Sequence, residues 1–296
     1  DELLGSSDTC NGRGTCADAA ATPQQDDADE RRANPHSRDS GGWDFSPDRS
    51  IPTEWQSHTC NIRKIDSTDA AAMRKLWDYA WLAPVMVTGN VTRAQAWPAW
   101  HRWRRKQLLS HYGKTEISVS GIPYAELHGG SPASPLTLAR YLSPGYWGSK
   151  NRLGQRNFLF LRPVREQLPA ALGDYAMPEL VVNESVVKVV STTDGPLASG
   201  RADTFYLGPA GSGAQMHIHG PSWNALIYGR KRWWFWSPRQ GLYSNTQVMQ
   251  LQSSPEFQKA KTCVQNSGDV VIVPMLWGHA TLNLESGVGV AGDFTI

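Results

Sequence analysis

Apolar and polar positions follow two different periods along this chain, and the change from one to the other divides it. Residues 1–50 show neither period. The run Asp26-Asp27-Ala28-Asp29-Glu30-Arg31-Arg32 is a charge block flanked by Pro, Ser, Gly and Asp. With almost nothing to bury, 1–50 reads as a disordered or loosely ordered polar arm. A folded region is expected over 51–296, helical in 60–145 and β from about 157. Ser67-Thr68-Asp69 caps a helix over 70–81, with Met73, Leu76, Trp77 and Ala80 on one stripe. Pro84 ends it, and 84–89 reads as a strand and turn. A second helix is predicted from Pro98 to His111. Beyond these, short alternating or fully apolar runs predict strands at 158–161, 186–190, 204–207, 215–219, 223–228, 231–236, 269–273 and 282–290. Short strands joined by tight turns, with no long helices between them, predict a mainly β fold with flanking helices, a sandwich or jelly-roll barrel.

Two of these strands carry chemistry. In Met216-His217-Ile218-His219-Gly220 the histidines are spaced i and i+2, so on a strand they project to one face. Trp277-Gly278-His279 can bring a third imidazole from a neighbouring strand. Histidine is the commonest metal ligand, and three neutral imidazoles suit Fe²⁺ or Zn²⁺. Gly229-Arg230 reads as a two-residue hairpin turn between 223–228 and 231–236. That closure places Asn224 and Lys231 on the same side of the sheet. If the side is interior, Lys231 needs an anionic partner, because an unpaired buried charge is costly. A small dicarboxylate bound beside a metal would supply it.

Composition narrows the classes. A net charge of +2 gives no global bias towards nucleic acid or a membrane surface. Thirteen Trp, 27 Gly and 19 Pro favour strands and turns over a helical bundle. The basic run His101–Lys106, interleaved with Trp97, Trp100 and Trp103, could form a nucleic-acid surface. Inward packing of the tryptophans is the favoured reading, and no nucleic-acid partner is expected. No apolar stretch approaches the ~20 residues that span a bilayer. The four cysteines suggest disulfides Cys10–Cys16 and Cys60–Cys263, one of three possible connectivities. Sequons at Asn90 and Asn183 add candidate glycosylation sites. The chain opens on Asp1, as expected if an upstream targeting segment has been removed. Together these features predict the secretory pathway, as a protein of the endoplasmic reticulum lumen or a secreted one.

The motifs Gly208-Pro-Ala-Gly-Ser-Gly, His217-Ile-His219, Trp223-Asn-Ala-Leu-Ile-Tyr-Gly-Arg-Lys-Arg-Trp, Gly268-Asp-Val-Val-Ile-Val-Pro and Trp277-Gly-His-Ala-Thr-Leu-Asn-Leu resemble the Jumonji-C (JmjC) domain family. The resemblance runs from about Cys60 to Phe294 and is densest after Gly208. It implies a cupin-like double-stranded β-helix and Fe(II)/2-oxoglutarate chemistry. His217 and His279 match the family's metal histidines, and His219 falls where the family holds Asp or Glu. Lys231 matches the lysine that pairs with 2-oxoglutarate, and Asn224 a polar cosubstrate contact. Ala291 falls where relatives place a hydroxylated residue that assists this lysine. Asp293 is one substitute acid. The implied function is hydroxylation of a protein or peptide substrate. The alternatives are a catalytically inactive JmjC-fold binding or scaffold protein, and a three-His, zinc- or iron-binding cupin-like enzyme that does not use 2-oxoglutarate.

Overall fold

The computed structural model describes residues 39–46, 48–123, 134–162, 164–181, 203–240, 243–251 and 255–294. Cys10, Cys16, Asn183 and the 186–190 strand lie outside the described residues. The described residues form twelve strands: β1 (Arg63–Asp66), β2 (Val85–Thr88), β3 (Glu116–Ser120), β4 (Ser134–Thr137), β5 (Phe158–Leu161), β6 (Thr204–Gly208), β7 (Ser222–Tyr228), β8 (Arg230–Trp236), β9 (Lys261–Asn266), β10 (Val270–Val273), β11 (Gly278–Asn283) and β12 (Gly287–Asp293). They form a nine-stranded sheet, ordered β1-β2-β10-β7-β12-β6-β5-β3-β4, and a three-stranded sheet, ordered β11-β8-β9. Only β1 and β2 run parallel among the described pairs. This is the mainly β, jelly-roll architecture expected from the sequence. Among the described residues no helix is long and apolar enough to cross a membrane.

Side-chain parity sorts the layers. On β7, Trp223 and Ala225 pack on one face in the main core with Trp97 and Trp103, while Leu226 joins Phe158 and Tyr206 on the opposite face. On β8, Trp234 and Trp236 pack outward against Trp55 and Phe257. Trp233 and Phe235 turn the other way, towards Met86, Val271, Val273 and Cys263. That last cluster draws on strands of both sheets, so it fills one end of the space between them. The Cys60–Cys263 disulfide staples the segment before β1 to β9, across 203 residues of sequence.

Several expected elements are revised. The 223–228/231–236 hairpin does not form: β7 pairs with β10 and β12, and β8 with β9 and β11. Gly229, at φ 98°, instead carries the chain from one sheet to the other, where a Cβ would strike the Ser286 backbone. All seven residues of β7 are buried, so alternation alone could not say which strand it pairs with. The 282–290 run is likewise two strands in different sheets, β11 and β12. The segment 215–219 is irregular apart from one bridge, His217 to His279. Asp69 does cap a helix, accepting from Ala71 N and Ala72 N at 3.0 Å each, but that helix breaks at Lys75 into Ala70–Arg74 and Leu76–Ala80. The second helix breaks into Ala99–Arg102 and Arg105–Tyr112. Its tryptophans Trp97 and Trp103 pack inward, and Arg102 meets the buried Asp174 at 2.7 Å. Residues 40–50, read as part of the arm, contribute to the packing: Trp43 is buried and its Nε1 donates to the Trp103 carbonyl at 3.0 Å. A single large aromatic anchors sequence that is otherwise too polar to bury.

Candidate metal centre and adjoining cleft

His217 and His279 form a doubly hydrogen-bonded antiparallel pair, each N–H donating to the other's carbonyl at 3.0 and 2.9 Å. Residues opposed in this way project to one side, so the two rings lie 4.2 Å apart between centroids. His219 is two residues further on, and its carbonyl accepts the Leu276 N–H at 3.2 Å. Its ring centroid lies 4.6 Å from that of His279. Leu276 adopts φ 63°, a left-handed conformation costly for a non-glycine residue, in the turn that leads into β11. The Tyr243 hydroxyl donates to the Ile218 carbonyl at 2.6 Å, bracing the segment from its other side.

One ring nitrogen from each histidine lies within 4.8 Å of the other two. The Nδ1 atoms face main-chain carbonyls: His217 to Gln215 at 2.6 Å, His219 to Gly220 at 2.7 Å and His279 to Trp277 at 3.0 Å. A carbonyl only accepts, so each Nδ1 is the donor, which leaves each Nε2 as the nitrogen available to a metal. That is the hydrogen-bonding pattern of metal-ligating histidine. Burial, followed by the neighbouring His217 and His219, holds the His279 imidazole well below its ordinary pKa, in the neutral ligand form. The donor set therefore fits a divalent Fe or Zn ion. Three neutral imidazoles would leave such an ion one unit more positive than a centre with one carboxylate among its ligands.

The triad lies at one side of a cleft between the two sheets, with about 610 Å³ of empty space. Lys231 and Asn224 line the same cleft, although by a different route from the expected hairpin. Parity along β8 explains why Lys231 differs from its neighbour. Arg232 faces outward and donates to the Trp55 and Ser57 carbonyls at 3.0 and 2.9 Å, whereas Lys231 faces inward and is 2% exposed. No carboxylate among the described residues pairs with Lys231. Its ammonium instead sits 3.3 Å from the centroid of the Tyr206 ring. Burial pushes the Lys231 pKa well below its ordinary value and the Tyr206 phenol well above its own.

Sequence reading missed Tyr206, Thr204 and Arg162, which also line the cleft. The Tyr206 hydroxyl donates to the Ala225 carbonyl at 2.8 Å and lies 2.7 Å from Asn224 Oδ1. Thr204 stands directly across from Ala291 in the β6–β12 register. The period-2 pattern of β6 could have placed Thr204 and Tyr206 on one face, but not which face. Trp233 forms part of the cleft wall, and Trp223, Trp234, Trp236 and Trp277 are buried packing residues. Asn90 lies outside the cleft, exposed, at φ 57° beside the Gly268 turn.

A jelly roll with a three-histidine cluster facing an inter-sheet cleft defines a metal-binding, oxygenase-like class of protein. Comparison with known proteins finds partial likenesses to proteins of one kind. Human JmjC domain-containing protein 8 is 36% identical over 101 residues, 32% of this chain and 38% of that protein. The arginine-specific demethylase JMJ22 of Arabidopsis thaliana is 24% identical over 234 residues, 71% of this chain and 41% of that protein. The tRNA wybutosine-synthesizing protein 5 of Danio rerio is 28% identical over 142 residues, 43% of this chain and 39% of that protein. The chain thus spans about two fifths of the length of each of these three relatives. No family model matches it. These relatives, with the sheet-rich fold and the histidine triad, support assignment to the JmjC family.

Proposed function

We propose that the chain is an Fe(II)- and 2-oxoglutarate-dependent oxygenase that hydroxylates a protein or peptide substrate in the secretory pathway. The observation that carries this reading is Lys231, a buried cation lining the histidine cleft and lacking a carboxylate among the described residues. Such a group is stabilised by an anionic ligand entering the cleft. A dicarboxylate satisfies both ends of the site, one carboxylate at Lys231 and the other near the triad. Thr204 lies opposite Ala291, so a hydroxyl from β6 is available beside the position where the family's helper residue is missing. When bound, iron with 2-oxoglutarate would supply the oxygen-activating chemistry of the family. The chain's own residues would do the rest: three imidazoles would hold the ion, Lys231 and Asn224 would orient the cosubstrate, and Phe158, Phe160 and Trp233 give the cleft an apolar wall. The Cys60–Cys263 disulfide and the exposed Asn90 sequon support an oxidising compartment.

The test is turnover of 2-oxoglutarate to succinate by iron-loaded protein, with loss of turnover in His279→Ala. One observation favours a second reading, a JmjC fold retained for binding alone: His219 replaces the family's carboxylate ligand. Full iron occupancy with no turnover, while partner binding survives substitution of all three histidines, would support that second reading.

A further inference from the structure

Among the residues that line the cleft, Asp293 is the acidic one. It ends β12, and its main chain is fixed by pairing with Ser222 and by the next N–H, Phe294, which donates to the Pro221 carbonyl at 3.1 Å. Its strand partner Ser222 lies three positions along the chain from His219, the exchanged position. The carboxylate has two faces with different neighbours. Arg162 Nη2 meets Oδ2 at 2.5 Å, while Oδ1 lies 4.0 Å from His219 Nδ1, the ring nitrogen that also faces the Gly220 carbonyl. The two side chains are 29% and 32% exposed, so packing does not lock the pair. Asp293, paired with Arg162, stands outside the three-nitrogen cluster.

We propose that Arg162 and a bound divalent ion compete for the Asp293 carboxylate, which serves this centre as the acidic ligand that its His219 position no longer provides. The inference rests on the reading of His217, His219 and His279 as metal ligands. Its physical basis is charge. Three neutral imidazoles leave a divalent ion with its full +2, and a carboxylate at the rim of the same cleft is drawn towards it. Arg162 supplies the opposing attraction. Charge at the metal is thereby set by an ion pair rather than by a fixed carboxylate in the ligand sequence.

Competition predicts opposite signs for two substitutions that a structural salt bridge would make alike. Metal-free wild-type protein, Asp293→Asn, Arg162→Gln and the double variant are titrated with Co(II) and Zn(II) against a competing chelator at fixed pH. Asp293→Asn should bind each ion about tenfold more weakly, the size typical of losing a supporting group at a metal site. It should also change the visible Co(II) spectrum. Arg162→Gln should bind more tightly than wild type, and the double variant should match Asp293→Asn. Thermal unfolding of each metal-free variant establishes that it is folded. Equal weakening in both single variants, or no change in either, overturns the proposal while leaving the triad as a metal site. Absence of Co(II) and Zn(II) binding by the wild type overturns both the triad reading and this one.

Discussion

Replacing Lys231 by methionine separates a structural lysine from a ligand-binding one, because the two roles predict opposite changes in stability. In the ligand-free protein the ammonium is 2% exposed, and its visible compensation is the Tyr206 ring at 3.3 Å. A desolvated cation–π contact returns about 2 kcal/mol. Burial of an uncompensated ion costs several kcal/mol. Deprotonation caps that cost at about 3 kcal/mol near pH 8, since displacement from about 10.4 costs about 1.4 kcal/mol per unit. Methionine fills a similar volume without the charge, so the variant should be more stable than wild type by about 1–3 kcal/mol. That gain corresponds to a rise in Tm of about 2–4 °C per kcal/mol. The sign of the pH dependence follows from the lowered pKa of Lys231. The unfolded chain binds more protons between the folded value and about 10.4, so wild-type stability rises with pH across that window and the advantage of methionine shrinks. With 2-oxoglutarate the order reverses. Loss of a buried charged partner costs about 2–5 kcal/mol, or roughly 30-fold to a few thousandfold in affinity. Thermal unfolding with and without 2-oxoglutarate, paired with calorimetric titration, reads both effects. A ligand-free Lys231→Met that is less stable than wild type, or one that binds 2-oxoglutarate as well, would refute the reasoning.

Three further outcomes are expected. The His279 imidazole is held neutral by burial, so between its lowered folded value and about 6.5 the unfolded state binds more protons and stability falls as the pH drops. Asp269, raised to about 6 by burial, has the opposite slope between about 3.9 and 6, so the comparison must be made against His279→Ala. That variant should show a shallower acid loss by up to about 1.4 kcal/mol per pH unit, measured by denaturant unfolding from pH 7 to 5; an unchanged slope contradicts the assignment. Substituting both Cys60 and Cys263 by alanine opens a cross-link spanning 203 residues and should cost about 2–5 kcal/mol, read as a lower denaturation midpoint. Gly289→Ala places a methyl against the Tyr206 hydroxyl and the Ala225 carbonyl. Overpacking there should cost about 1–3 kcal/mol and weaken 2-oxoglutarate binding by displacing Tyr206 from Lys231; wild-type affinity in a folded Gly289→Ala would show that Tyr206 does not position the lysine.

The fold class and the grouping of the three histidines were legible because each rests on a local rule. Spacing i and i+2 put His217 and His219 together even though their segment is not a regular strand, since a single bridge to His279 preserves the parity. Parity also carried Lys231 and Asn224 into one cleft when the hairpin argument for them failed. Pairing itself was not legible. β7 and β8 are adjacent in sequence yet belong to different sheets, and full burial of β7 removes the alternation that marks a solvent face. Strand β9, Lys-Thr-Cys-Val-Gln-Asn, is polar at four of its six positions and gave no clear pattern before its edge pairing with β8 was known. Arg162 and Asp293, 131 residues apart, meet only through the β5–β6–β12 order. No periodicity could bring them together. Trp43 shows the same limit at the other end of the chain, where one buried aromatic outweighs a polar neighbourhood.

The central claim is that His217, His219 and His279 hold one divalent ion beside a cosubstrate site closed by Lys231. It is tested most directly by titrating 2-oxoglutarate into anaerobic protein, with and without Fe(II), in wild type and His279→Ala. The account predicts one Fe(II) per wild-type chain, 2-oxoglutarate binding strengthened by that ion, and loss of both the ion and the strengthening in His279→Ala. A wild-type protein that takes up no Fe(II), or whose affinity for 2-oxoglutarate is indifferent to it, would contradict the account.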